Sequence, residues 1–370
     1  MKLRDLGEFG LIDLIQRKTP RRRGVRLGIG DDAAWVSTAG DSLLFTSDLL
    51  IEGVHFNREW ISMRDLGHKS LTASLSDIAA MGGRPAFFLL SLALPDIDTR
   101  QAAALVDGIQ ALAAEHRVAL VGGDTCAADR LTIDVFLAGE APHGAVTRAG
   151  ARVGDDIYVT GTLGDSALGL ALLSDPRPKV SARDRNYLVG RHHRPSARVK
   201  TGMLLAREGL AHAMMDVSDG LAQDLGHICR ASRTGAVVHQ ARVPLSPAFV
   251  RVAGPDDLWC ALAGGEDYEL LFTAAPDARK SVERVARRAG VPITRIGECV
   301  PRKRGVTLVD AGGECAPLSA GGYDHFRDAG RDVIPANPQV VDRSPGVLIP
   351  PGSSSPPRFV IPAKAGIQAG

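Results

Sequence analysis

The chain has 370 residues, 45% of them hydrophobic and 23% charged, with a formal net charge of +2. This is the composition of a soluble globular protein long enough for two domains, and its charge balance excludes an electrostatic nucleic-acid binder. Its five cysteines are odd in number and form no C-x-x-C pair, which excludes a disulfide framework or zinc ribbon and fits a reducing cytoplasm.

The first ten residues, MKLRDLGEFG, lack the apolar stretch of a signal peptide. Strand-like runs follow at 42–47, 87–94, 118–121, 131–139 and 156–160, with helical patterns at 66–81 and 100–115. The longest apolar run, 86–94, is too short to span a bilayer and reads as a buried strand. A boundary is expected at 150–154, before the strand DDIYVTG. Beyond it, 162–173 reads as a turn and helix, and 220–231 and 277–289 as helices. Mixed strands and helices predict an α/β (α+β) chain with a first domain over 1–150 and a second over 151–328. Residues 329–370, rich in Pro, Gly and Ser, are expected to form a disordered tail.

The stretch LGIGDDAAW carries Gly28-x-Gly30-x-x-Ala33, the spacing of a phosphate-cradling turn, yet Asp31 and Asp32 stand where the anion would sit. Acids recur at the ends of other apolar runs: Thr46-Ser47-Asp48, Ser76-Asp77, Asp124-Thr125 and Asp216-Val217-Ser218-Asp219. A single acid of this kind is a turn or cap residue. Several acids beside hydroxyls make a hard-oxygen donor set of the kind Mg²⁺ takes. Asp77 lies inside a helical pattern among Leu75, Ile78 and Met81, so it either faces solvent or has a buried partner. Gly122-Gly123 and Gly161 to Gly164 would let backbone approach a ligand. Arg148 is either a phosphate clamp or a surface arginine before the boundary. His192-His193, beside Arg191 and Arg194, reads as a solvated pair. No Walker A or kinase H-R-D pattern is present. These residues point to an α/β protein with a multi-Mg²⁺ site facing a phosphorylated ligand.

The ordered motifs EFGLI, GIGDDAA, TSD, LSDIAAMGG, GGDT, TRAGARVGD, YVTGTLGDSALGL, DVSDGL, GGEDYEL and GYDHF resemble the thiamine-monophosphate kinase family, from Gly7 to Phe326. That family belongs with aminoimidazole ribonucleotide synthetase and selenophosphate synthetase. The resemblance implies a two-domain aminoimidazole ribonucleotide synthetase-like fold and a cytoplasmic homodimer joined through the N-terminal sheet. It also implies transfer of phosphate from ATP to thiamine monophosphate with several Mg²⁺ ions. By the same resemblance the metal ligands are Asp32, Thr46, Ser47, Asp48, Asp77, Asp124, Asp216 and Asp219. ATP would meet Gly123, Asp124, Arg148 and Ser218, and thiamine monophosphate would meet His55, Glu266 and Tyr323. The hydroxyl run, more often Ser-Thr-Asp, is Thr-Ser-Asp here and keeps both hydroxyls. Taken alone, His55 could be a strand-end histidine, Glu266 a turn residue and Tyr323 a packing residue. Adenine contacts are not placed; some members carry an aromatic residue near His116. A selenophosphate synthetase would carry a reactive cysteine in an N-terminal glycine-rich segment, and here no cysteine precedes Cys126.

Overall fold

The computed structural model describes residues 10, 12, 16, 25–37, 42–175, 177–254 and 257–318. The expected tail and Tyr323 lie outside them. The first half forms a six-stranded sheet from β1 (Val25–Leu27), β2 (Ala34–Ser37), β3 (Ser42–Ile51), β4 (Arg84–Leu94), β5 (Ala119–Ala127) and β6 (Thr132–Glu140). Their order across the sheet is β1-β2-β3-β6-β4-β5. Two helices cover one face, α1 (Met63–Ala80) and α2 (Thr99–His116).

The strand pattern follows the pleat, which sends alternate side chains to opposite faces. In β3, Leu44, Thr46 and Leu50 are buried while Ser47 and Leu49 are exposed. In β6, Ile133, Val135 and Leu137 point inward. The outer face leaves Leu49, Phe87, Leu89, Val121 and Phe136 exposed, with Phe45 stacked on Phe136.

The second half forms a seven-stranded sheet. Its strands are β7 (Asp156–Thr160), β8 (Ala213–Val217), β9 (Thr234–His239), β10 (Glu269–Ala274), β11 (Ile293–Pro301), β12 (Val306–Val309) and β13 (Cys315–Pro317). They lie in the order β13-β12-β9-β11-β7-β10-β8. Its helices are α3 (Asp165–Ser174), α4 (Ala182–His193), α5 (Val199–Arg207), α6 (Leu221–Ser232), α7 (Pro247–Val252), α8 (Leu258–Ala263) and α9 (Arg279–Ala289). One apolar core joins the inner face of the first sheet to Met214, Leu270 and Phe272 of the second. Another fills the opposite face of the second sheet, around Leu168, Met215, Leu225 and Leu271. Among the described residues no helix is long and apolar enough to cross a membrane.

Helix α1 lies between the two halves, touching β3 and β6 on one side and β8, β10, α4 and α5 on the other. It starts at Ser62, whose hydroxyl accepts from the Asp65 N–H at 3.1 Å, a serine N-cap. Its pairing with α2 requires glycine: a Cβ on Gly67 would lie 2.1 Å from the Leu105 carbonyl, and one on Gly108 would lie 1.9 Å from that of Arg64. With neighbours on both sides, most of α1 is buried, polar residues included.

Several strands run further than their apolar runs. β3 continues through Asp48 to Ile51, and β5 carries Gly122-Gly123-Asp124 inside the strand. Asp216 also sits within a strand, paired with Leu270 of β10. The expectation that these acids follow strands is therefore corrected. Neighbouring strands supply their backbone partners, and an acid ends a strand only where pairing ends.

Candidate active site

The pleat of β3 turns Thr46 and Asp48 inward toward α1, whose last turns bring Ser74, Ser76 and Asp77 to meet them. From the other side, β8 presents Asp216 on the Met214 face, and the bend before β2 presents Asp32. One carboxylate oxygen each from Asp32, Asp77 and Asp216 lies within 4.8 Å of the others. Hydroxyls brace the acids. Ser74 Oγ donates to Asp48 at 2.6 Å, Ser76 Oγ donates to Asp216 at 2.6 Å, and Thr46 Oγ1 donates to Asp77. Asp77 thus has the buried partner that its helical setting required.

Burial and mutual repulsion dominate the electrostatics. Burial pushes the Asp216 carboxyl up to about 8, with Asp32 adding repulsion and the Ser76 hydrogen bond opposing it. Asp48 is pushed up to about 6 by burial and by nearby Asp134 and Asp32, against the Ser74 hydrogen bond. Asp77 rises well above the usual carboxylate range, by burial first and then by Asp48 and Asp216. Crowded carboxylates with hydroxyl neighbours, and among the described residues no histidine or cysteine in the group, fit a hard divalent cation such as Mg²⁺. Asp32, Asp48, Asp77 and Asp216, with Thr46, are the residues placed to hold one or more.

Arg148 packs against this group. Its guanidinium reaches Asp32 Oδ1 at 2.7 Å through Nη2, and its Nε lies 3.5 Å from Asp31 Oδ1. Asp31 serves the turn, accepting from the Asp32 N–H at 3.0 Å and the Arg148 N–H at 3.0 Å. The glycine spacing of LGIGDDAAW leads into strand β2, so no helix N-terminus stands there to receive a phosphate.

The DVSDGL loop borders the cluster. Asp219 accepts from Gln223 Nε2 at 3.1 Å, and Ser218 receives the Glu266 N–H on its carbonyl at 2.8 Å. Asp224 was not singled out in the sequence. It is fully buried, and its Oδ2 takes the N–H groups of Asp219 at 3.2 Å and Gly220 at 3.0 Å. Its position four residues after Gly220, in the first turn of α6, was the available signal.

Other expected residues stay outside the cluster. Ser47 points to the outer face, where it donates to Asp134 at 2.7 Å. Asp124 is exposed on β5 and accepts from the Thr125 N–H at 2.8 Å. Gly123 is fixed by packing, since a Cβ there would lie 1.8 Å from the Leu90 carbonyl. His55 accepts at Nδ1 from the Ile51 N–H at 2.9 Å in the turn after β3. His116 is half-buried at the end of α2. Glu266 takes a left-handed backbone at φ 64° and pairs with Lys69 of α1 at 2.8 Å. The reading of His192 as solvated is corrected. It is buried, with Nδ1 3.1 Å from Ser166 Oγ, because α4 packs its inner face against α3 and α1.

Two family models match the chain. The N-terminal domain of AIR synthase related proteins matches residues 30–141, and their C-terminal domain matches residues 152–310. The thiamine-monophosphate kinase of Escherichia coli K12 is 42% identical over 324 residues, covering 86% of this chain and 98% of that protein. The Bacillus subtilis thiamine-monophosphate kinase is 36% identical, covering 87% and 100%. Among solved structures, AaThiL complexed with AMPPCP and TMP superposes with a TM-score of 0.76 at 34% identity, covering 88% of this chain and 99% of that one.

Proposed function

Since the chain belongs to the thiamine-monophosphate kinase family, we propose that it moves the γ-phosphoryl group of ATP directly to thiamine monophosphate, in line and with several Mg²⁺ ions. One observation carries this reading: acids from both halves of the chain converge on α1, with Asp32, Asp77 and Asp216 within 4.8 Å of one another.

The acceptor is a phosphate monoester whose second pKa is about 6, so it is mostly a dianion at neutral pH and needs no strong base. The obstacle is repulsion, about 4 kcal/mol per pair of unit charges at about 4 Å for an effective dielectric near 20. Bound Mg²⁺ supplies the screening of that repulsion and stabilises the oxygens of the phosphoryl group in transfer. The residues of this chain divide the remaining tasks. Asp32, Asp48, Asp77 and Asp216 hold the cations, with Asp219 and Thr46 beside them. Arg148 and Ser218 border the triphosphate, and the half-buried Glu266 offers a carboxylate to the cationic thiazolium half of the acceptor. His55 lies in the loop that leads from β3 to α1.

We further infer a cytoplasmic homodimer that buries the outer face of the first sheet. The exposed Leu49, Phe87, Leu89, Val121 and Phe136 on one sheet face support it. Ser47, Gly123 and Asp124 belong to the strands of this sheet, so a second copy seated there would border them. All five cysteines are free thiols, as a reducing compartment requires. We put the boundary between the two domains between residues 150 and 151; its position in the connection between β6 (to Glu140) and β7 (from Asp156) supports this.

The test is a coupled ADP-release assay with thiamine monophosphate, thiamine or no acceptor, each with and without Mg²⁺. ADP release is expected only with thiamine monophosphate and Mg²⁺ together. Release at the same rate without acceptor would overturn the assignment of substrate.

A further inference from the structure

Lys69 takes no part in the acidic cluster, yet its side chain is only 1% exposed in the middle of the protein. Burying an ammonium is costly unless each N–H finds an acceptor. Here each of the three has one nearby. Glu266 Oε1 lies at 2.8 Å, Glu266 Oε2 at 2.9 Å and His192 Nε2 at 3.4 Å. Burial first, and then the Lys69 charge, hold the His192 pKa well below its ordinary value, so the ring is neutral, and in the tautomer protonated at Nδ1 its Nε2 accepts from Lys69.

Lys69 holds both carboxylate oxygens of Glu266, and His192 Nδ1 lies 3.4 Å from Oε2, yet 30% of the Glu266 side chain remains exposed. Its backbone is fixed as well, with φ at 64° and its N–H on the Ser218 carbonyl at 2.8 Å. Left-handed backbone at a residue other than glycine is strained and concentrates at functional positions. A buried ion pair is also poor evidence of stabilisation, since apolar side chains of similar size often serve as well. A strained backbone and a partly exposed carboxylate on Glu266, with the buried charge of Lys69 behind them, fit orientation better than cohesion.

We infer that Lys69 is a positioning residue for the acceptor: it fixes the carboxylate of Glu266 so that the part of this side chain left exposed meets the cationic half of thiamine monophosphate. The inference rests on the reading of Glu266 as an acceptor contact. Lys69 belongs to α1 of the first half and Glu266 to the loop before β10 of the second, so the pair also ties the two halves together at the acceptor.

Steady-state kinetics on four variants test it. Lys69→Met keeps the length of the arm and removes the charge. The KM for thiamine monophosphate is expected to rise about tenfold or more, with kcat within about threefold and the KM for ATP within about twofold. Lys69→Arg, which retains the charge on a longer arm, is expected to fall between the wild type and Lys69→Met. Glu266→Gln should raise the same KM, and the double variant should be no worse than the worse single one. If Glu266→Gln raises that KM and Lys69→Met does not, the role of Lys69 is overturned while the acceptor reading stands. If Glu266→Gln leaves it unchanged, the acceptor reading itself fails. Should Lys69→Met not fold, Lys69→Arg decides: either no shift or an equal shift in both KM values overturns the proposal.

Discussion

Arg148 and Asp32 form a close ion pair, Nη2 to Oδ1 at 2.7 Å, in which the carboxylate side chain is 2% exposed. The pair joins an arginine proposed to meet phosphate to an acid proposed to hold metal. A guanidinium here does for Asp32 what a divalent cation would do, so the two should substitute for one another. Arg148→Ala is expected to destabilise the Mg²⁺-free protein by roughly 3 kcal/mol, the cost of leaving a buried charge without its partner. Mg²⁺ should then stabilise the variant more than the wild type. Denaturant titrations with and without Mg²⁺ measure both, and an equal Mg²⁺ increment in the two proteins would contradict the exchange.

The crowded acids give a pH dependence of known sign. Asp216 is pushed up to about 8, Asp31 to about 7 and Asp48 to about 6, against about 3.9 in an unfolded chain. Between those limits the folded protein binds more protons than the unfolded one, so its Mg²⁺-free stability falls as pH rises from about 4 to about 8. Mg²⁺ competes with those protons. The gain in Tm on adding Mg²⁺ should therefore widen from pH 6 to pH 8.5. Thermal unfolding across that range with and without Mg²⁺ is the measurement, and a constant or narrowing gap counts against the metal site.

Neutralising one acid should separate stability from turnover. Asp77→Asn or Asp48→Asn removes repulsion from a buried cluster, so the Mg²⁺-free Tm is expected to hold or rise. Turnover should fall about a hundredfold or more, roughly 2.7 kcal/mol of barrier. Near-normal kcat at limiting Mg²⁺ in either variant would remove that residue from the metal site.

Direct transfer leaves no phosphorylated protein. Incubation with γ-labelled ATP and Mg²⁺, without thiamine monophosphate, is expected to give no label on the chain after rapid quench. Stoichiometric acyl-phosphate on any of the clustered aspartates would falsify the in-line scheme.

Much of this site was legible because the clustered acids stand beside hydroxyls in sequence. Asp48 follows Thr46 and Ser47, Asp77 follows Ser76, and each run reappears in the structure as a strand or helix carrying its acid. What alternation does to such a run was harder to read. Thr46-Ser47-Asp48 looked like one ligand set, but a pleated strand sends Ser47 to the opposite face, where it meets Asp134. Lys69 was out of reach for another reason. Its partner lies 197 residues away in sequence, and a lysine inside an amphipathic pattern reads as solvent-facing until the second half of the chain is folded over it. His192 was misread on the same ground, since adjacent histidines among arginines carry no mark of burial. Strands β3 to β6 of the first sheet were visible as apolar runs, cut short where they contain acids or glycine; of the second sheet only β7 was read, while β8 to β13 and helices α4, α5, α7 and α8 were not.

Helix α1 carries Lys69 near its start and Asp77 near its end, on one uninterrupted rod. At about 1.5 Å per residue, Lys69 and Asp77 are set about 12 Å apart along the axis. A rigid spacing of that kind works as a gauge: it admits an acceptor according to its reach. A molecule whose cationic end engages Glu266, as proposed, must extend far enough for its phosphate to arrive at the acidic cluster. Unphosphorylated thiamine could occupy the near end of the gauge and still fall short of the far one.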